Sequence, residues 1–215
     1  MLRSAQKQRR TISASLIAAG AVLLNIAVVH LGHLAGHPLI LDTVFTGVAA
    51  AACGAIVGTV TGGLTTLSLL LIGACPVCRH ALVATNGLAG LILGFALPWN
   101  REVSPTKLLV VLAAVVLATT VTGAFSVGEP TAFESASGLR LIRTTYHVLR
   151  VDPPWPEFFY LLPLNLADKM LTVGMAILVG PLIGRYHARW VAAGTRRATP
   201  TTPPQHPPTP AGTPR

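Results

Sequence analysis

The stretch 39–72, LILDTVFTGVAAAACGAIVGTVTGGLTTLSLLLI, decides the fold. Its one charge is Asp42, near the start, and everything else is apolar, small or hydroxyl-bearing. Crossing the ~30 Å hydrocarbon core of a bilayer takes about 20 helical residues. The stretch is too long for one crossing and about right for two short ones. Its middle supplies a way to fold back: Gly54, Gly58 and Gly62 recur every fourth residue and are followed by Gly63. That spacing permits a tight turn and lets two helices approach closely through small residues. The expectation is a membrane hairpin of spans 39–56 and 57–72.

Working outward, comparable apolar runs lie at 12–30, 81–97, 107–127 and 166–184, the fourth span (81–97) closed by Pro98 and Trp99. A cleaved signal peptide is the alternative for 12–30, although such a core is usually about 7 to 15 residues long. The fold class expected is all-α, an integral membrane protein with six transmembrane helices. Residues 1–11 form a basic N-terminus with Arg3, Lys7, Arg9 and Arg10, and 12–185 form the membrane domain. A long charged loop, 128–165, contains the turn cluster Pro153, Pro154, Trp155 and Pro156. The remainder, 186–215, is a basic, Thr/Pro-rich tail, too polar and proline-dense to build a core and expected to be disordered from about Thr195.

Composition agrees. Only 11% of the residues are charged, and the mean hydropathy is +0.62, whereas soluble domains carry about 25% charge. The balance of 16 Lys+Arg against 7 Asp+Glu would suit a nucleic-acid partner in a soluble protein. Aromatic residues make up only 6%, however, and form no basic-aromatic stacking platform. The positive charge reads instead as topology. With six spans, Arg3, Lys7, Arg9, Arg10, Arg101, Lys107, Arg185, Arg189, Arg196, Arg197 and Arg215 share the side of the termini, against Arg79, Arg140, Arg143 and Arg150 opposite. The positive-inside rule then places both termini in the cytoplasm.

Ionisable side chains at membrane depth are costly and mark candidate sites, here Asp42, Asp168 and Lys169. Neighbours on a helix point about 100° apart, so Asp168 and Lys169 are expected to pair with other helices or loops rather than with each other. The competing reading is an interhelical lock. His30, His33 and His37 would stack on one helical face but for Gly32, Gly36 and Pro38. With Cys75, Cys78 and His80 they form a weak candidate pool of metal ligands. A disulfide or plain thiols at Cys75 and Cys78, and interfacial histidines, are the alternatives. Cys53, among alanines, reads as a small buried residue. No phosphate-binding loop, His-Glu-x-x-His helix or Gly-x-Ser-x-Gly elbow occurs, so no enzyme activity and no cofactor are expected. Uphill transport would have to draw on a partner or an ion gradient. Ala14 and Ala18, with Ser15 and Ala19 beside them, form a small-residue stripe that suits docking or internal packing equally well.

Four segments together carry a family resemblance: Leu41-Asp42-Thr43-x-x-Thr46-Gly47, the glycine-spaced GAIVGTVTGGLTT at 54–66, Asn86-Gly87-x-x-Gly90, and Asn165-Leu-Ala-Asp168-Lys169. They resemble the substrate-binding S components of energy-coupling factor (ECF) transporters, small six-span proteins of bacterial cell membranes. The resemblance implies a substrate-capture subunit for a vitamin-like micronutrient, working with a transmembrane coupling subunit and two ATPase subunits in the lipid bilayer, with no nucleic acid. It assigns substrate contact to Asn86, Glu129, Glu134, Arg140, Arg143, Asn165 and Asp168, and contact with the coupling subunit to Ala14 and Ala18. Asp42, Thr43, Gly54, Gly58, Gly62 and Lys169 would be structural or gating residues. The His-rich first loop, the Cys75 and Cys78 pair and the tail depart from the family pattern. Mixed charges in the long loop suggest a zwitterionic or anionic organic substrate, whereas the histidines and cysteines would suit a metal ion. The alternatives are a membrane sensor or scaffold without transport, or a transition-metal-binding transport subunit.

Overall fold

A computed structural model describes residues 2–34, 41–73, 80–126 and 155–196. The described residues form helices and connections only: α1 (Leu2–Leu34), α2 (Val44–Cys53), α3 (Ala55–Leu71), α4 (His80–Ala96), α5 (Pro105–Ser126) and α6 (Trp155–Arg196). The chain is inside-out by the standards of a soluble protein. Leu16, Leu23, Leu31, Ile56, Phe95, Leu109, Phe125, Leu178 and Leu182 point outward, while Asn25, Thr46, Thr61, Thr65, Thr66, Thr120 and Thr172 are fully buried. That distribution suits a hydrocarbon solvent, in which polar groups must find partners inside the protein.

Three helices contain stretches long and apolar enough to cross a membrane: Ser4–Gly32 in α1, Pro105–Phe125 in α5 and Leu161–Ala193 in α6. The helices α2, α3 and α4 are apolar but shorter. At about 1.5 Å per residue, α2 rises only about 15 Å and α3 and α4 about 25 Å each. Helix length alone therefore gives three crossings where the apolar segments suggest six. The long helices also overrun the expected boundaries. α1 begins at Leu2, inside the basic segment, and runs through Gly32 to Leu34, because Gln6 to Arg10 are good helix formers and a lone glycine costs only about 1 kcal/mol. α6 takes in residues 155–165 of the expected loop and continues past Gly184 to Arg196. It holds Pro163 and Pro181 in its interior, which membrane helices tolerate when neighbours satisfy the freed carbonyls.

The hairpin turns at Gly54, whose φ of 98° and ψ of 177° lie in a region that residues with a Cβ avoid. Beyond it α3 runs back along α2. A Cβ at Gly58 would meet Ala50, and single side chains from other helices reach both arms: Asn86 touches Asp42 and Thr66, and Asn25 touches Thr46 and Thr65. Gly54→Ala is expected to lower stability by about 1–2 kcal/mol through backbone strain alone, since no atom lies within 4 Å of the new methyl. Gly174→Ala, equally open but helical, is the control: its thermal unfolding midpoint should not fall.

On its other side α3 meets α4 almost backbone to backbone, with Gly58 against Gly90, Gly62 against Asn86, and Ala55 against Gly94. Gly47 and Gly180 likewise let α2 seat on α6 at Thr172 and Ala51. A compact core of Ala50, Ala51, Ala89, Leu93, Leu97, Val111, Val115, Val173 and Ala176 fills the space between α2, α4, α5 and α6. At one end the main-chain N–H of Trp99 donates to the Ala51 carbonyl at 3.1 Å and the Trp99 ring covers Gly184. At the same end Ser13 of α1 meets His187 of α6, and the Arg9 guanidinium stands 5.8 Å from the Trp190 ring centroid. Lys7, Arg10, Arg101, Lys107, Arg185 and Arg189, all exposed, thus gather at this end.

Candidate functional site

Away from the basic end, the helices enclose a layer of polar side chains. Asp168 lies about 28 Å along α6 from His187, at ~1.5 Å per residue. The layer forms where residues 41–43 precede α2 without helical structure, with Asp42 and Thr43 both buried. Irregular backbone at membrane depth is tolerated only where protein covers it or a cavity adjoins it.

Two sets of contacts share this segment. In the first, Asn86 Nδ2 on α4 donates to the Asp42 carboxylate and, at 2.6 Å, to Thr66 Oγ1 on α3. In the second, Lys169 Nζ donates to Asp168 Oδ2 and, at 2.7 Å, to Thr43 Oγ1. Thr43 Oγ1 lies 3.4 Å from Asp168 Oδ2 and 3.2 Å from Thr172 Oγ1, and Thr172 donates to the Asp168 carbonyl at 2.9 Å. Asp42, Asp168 and Lys169 are 6%, 3% and 2% exposed, so these charges are effectively out of solvent.

The Asp168–Lys169 ion pair corrects the expectation that these neighbours point apart. Their Cβ atoms do diverge around the helix, but the four-carbon lysine stem reaches round, and Thr43 supplies a second acceptor at the place where the ammonium meets Asp168 Oδ2. Withdrawn from solvent, the ammonium is held by these two protein acceptors, as a buried charge requires.

One atom is left over. Asp168 Oδ1 is the only buried side-chain oxygen or nitrogen without a hydrogen-bond partner among the described residues. With two carboxylates and one ammonium, the layer carries one formal negative charge in excess.

Flanking bonds extend the layer. Asn165 Nδ2 donates to Thr120 Oγ1 at 3.1 Å, joining α6 to α5. Asn25, the one strongly polar residue in the uncharged run of α1, donates to Thr46 and Thr65 at 3.0 and 3.2 Å and accepts the Phe45 N–H at 2.9 Å. Asn25 was not among the sequence candidates, although its isolation in an apolar run was the available signal. Asn25→Leu strands the Phe45 N–H inside the protein and should cost about 1–3 kcal/mol, read as a lower unfolding midpoint.

The structure therefore brings Asn86 and Asp168 together with Asp42, Thr43 and Lys169, while half-buried Asn165, one helical turn before Asp168, bonds Thr120 on α5 instead. Glu129, Glu134, Arg140 and Arg143 lie outside the described residues, as do His37, Cys75 and Cys78. His33 and His80 fall within α1 and α4, but their side chains are also outside the description, while His30 is exposed on α1. No group of three or more His, Cys, Asp or Glu residues converges among the described residues. Ala14 and Ala18 are half-buried, so internal packing takes up part of their stripe. Cys53 is a free, half-buried thiol. The Ser13–His187 pair, 2.7 Å apart and buried, is a second polar contact that sequence reading missed.

The chain matches no protein-family model, no curated protein and no solved structure. Its function must be argued from the polar layer.

Proposed function

We propose that the chain is a membrane-embedded substrate-capture subunit of the ECF type, taking up a vitamin-like micronutrient through partner ATPases. The observation that carries the reading is the convergence of Asn86 and Asp168 with Asp42, Thr43 and Lys169 in one buried layer, flanked by Asn165 one helical turn before Asp168, away from the basic end. Those are residues to which the resemblance assigns substrate contact and gating. In this reading α1, α5 and α6 cross the bilayer fully and α3 and α4 cross where the membrane thins to meet them, at a modest cost per ångström of mismatch. α2 reaches only part of the way and begins at the layer, a discontinuous-helix arrangement that suits ligand sites at membrane depth. The basic end faces the cytoplasm.

The mechanism is differential binding. Capture requires a state in which the layer holds substrate tightly, and release requires a second state that holds it less tightly, with the difference supplied by hydrolysis in the partners. Purification from native membranes in mild detergent tests the reading. A coupling protein and ATPase subunits should co-purify, and a vitamin-like ligand should raise the unfolding midpoint. If no ATPase co-purifies, the reading falls.

A second reading is favoured by the near-complete hydrogen bonding of the layer: an interhelical lock in a membrane sensor or scaffold that moves nothing. It predicts that neutral, well-packed replacements preserve function, which separates it from the first.

A further inference from the structure

Taking the layer as the substrate site, we infer that it reads its ligand through an N–H group donated to Asp168 Oδ1. It therefore selects an amine- or amide-bearing organic molecule, cationic or neutral, over a carboxylate. This inference rests on the capture reading above and adds the class of cargo.

The hydrogen bonds set the requirement. Asp42 and Thr66 accept from Asn86, Asp168 Oδ2 accepts from Lys169, and Thr43 accepts from Lys169. Thr172 gives its proton to a main-chain carbonyl, and Asn165 donates to Thr120. What remains is Asp168 Oδ1, on a residue 97% withdrawn from solvent. An ionised carboxylate oxygen can only accept, so its complement is a donor. Charge points the same way: the ammonium of Lys169 is already held by Asp168 and Thr43, and an incoming carboxylate would meet two buried carboxylates with no second cation in the layer among the described residues. A metal ion fits less well, because it would need several free oxygens and the neighbouring hydroxyls are committed. The mixed charges of the long loop suggest a zwitterionic or anionic cargo; the layer selects against the anionic one.

Three compounds sharing one ring make the test: 3-(aminomethyl)pyridine as the ammonium, nicotinamide as the neutral N–H donor and nicotinate as the carboxylate. Each is titrated against the full chain in mild detergent, with the thermal unfolding midpoint as readout. The first two should raise the midpoint by about 5 °C at ~100-fold saturation, and nicotinate should not. Asp168→Asn should weaken the response to the two donors by about 10-fold or more, the loss of one hydrogen bond to a charged group. Should Asp168→Asn fail to fold, Asp168→Glu keeps the charge and should bind more weakly with the same ranking. Protection by nicotinate equal to that of the donors, protection by sodium chloride alone, protection by none of the three, or an unchanged affinity in Asp168→Asn would each overturn the inference. Co-purification of the ATPases is scored separately. Their presence with a carboxylate preference sinks this inference alone, whereas their absence with a donor preference sinks the transport reading and leaves the ligand class standing.

Discussion

Gly62→Ala is expected to lose most of the folded protein, while Gly63→Ala at the next position is expected to be silent. Both substitutions add the same methyl group and both favour helix over glycine. The difference is where the methyl goes. At Gly62 it would lie 2.2 Å from the Asn86 carbonyl oxygen and 2.6 Å from the carbonyl carbon, so it strikes main chain that no rotamer change can move. At Gly63 the nearest atom is a Val83 methyl at 3.8 Å, an ordinary contact. Overpacking costs typically about 1–3 kcal/mol, and more where backbone must separate, so about 3 kcal/mol or more is expected for Gly62→Ala and within about 0.5 kcal/mol for Gly63→Ala. Parallel unfolding scans and size-exclusion profiles in detergent measure both. The effect should reach the polar layer, because the backbone that α3 would push away belongs to Asn86, whose side chain holds Asp42 and Thr66. A Gly62→Ala protein that unfolds like the parent would mean that α3 and α4 do not cross this closely.

This pair of glycines also shows what could be read from the residues alone. The four-residue spacing of Gly54, Gly58 and Gly62 states both a turn and a close helix contact, because glycine serves those purposes through its own backbone and needs no knowledge of a partner. Asp42, Asp168 and Lys169 were legible for a related reason: a charge within an apolar run is conspicuous wherever it ends up. Apart from Thr43, the threonines were not. Thr46, Thr65, Thr66, Thr120 and Thr172 sit in helices where a hydroxyl can bond its own backbone, as Thr65 does to Thr61 and Thr172 to Asp168. Nothing local therefore marks those that also bridge helices. The Asp168–Lys169 pair was misread because spacing along a helix fixes Cβ directions and not the reach of a long side chain, and because the second acceptor, Thr43, comes from a segment more than 120 residues earlier. Helices run past the apolar boundaries that hydropathy marks. Charge can end a membrane span without ending a helix, which is why α1 begins at Leu2 and α6 continues to Arg196.

Lys169→Met should be the most damaging single change in the polar layer, and its reversal is the sharper experiment. The substitution removes the only ammonium in the layer among the described residues and leaves Asp168 and Asp42 buried, with Asp168 losing its strongest partner. Breaking a buried ion pair from one side costs about 3–5 kcal/mol, whereas replacing both partners by neutral groups is often close to neutral. The expected order of unfolding midpoints is therefore parent, then the double variant Lys169→Met with Asp168→Leu close behind, then Lys169→Met well below both. If the single variant is as stable as the parent, the ammonium is not held in the layer and the site must be redrawn. The double variant then divides the two functional readings. An interhelical lock is restored by any neutral arrangement that packs, so recovered stability should bring recovered function. A ligand site is not restored, because a leucine side chain at that position offers no oxygen to accept an N–H: the protein should fold again and still fail to respond to the amine- and amide-bearing probes. Stability and recognition part company only if the carboxylate oxygen left unpartnered by the fold is there for something outside it.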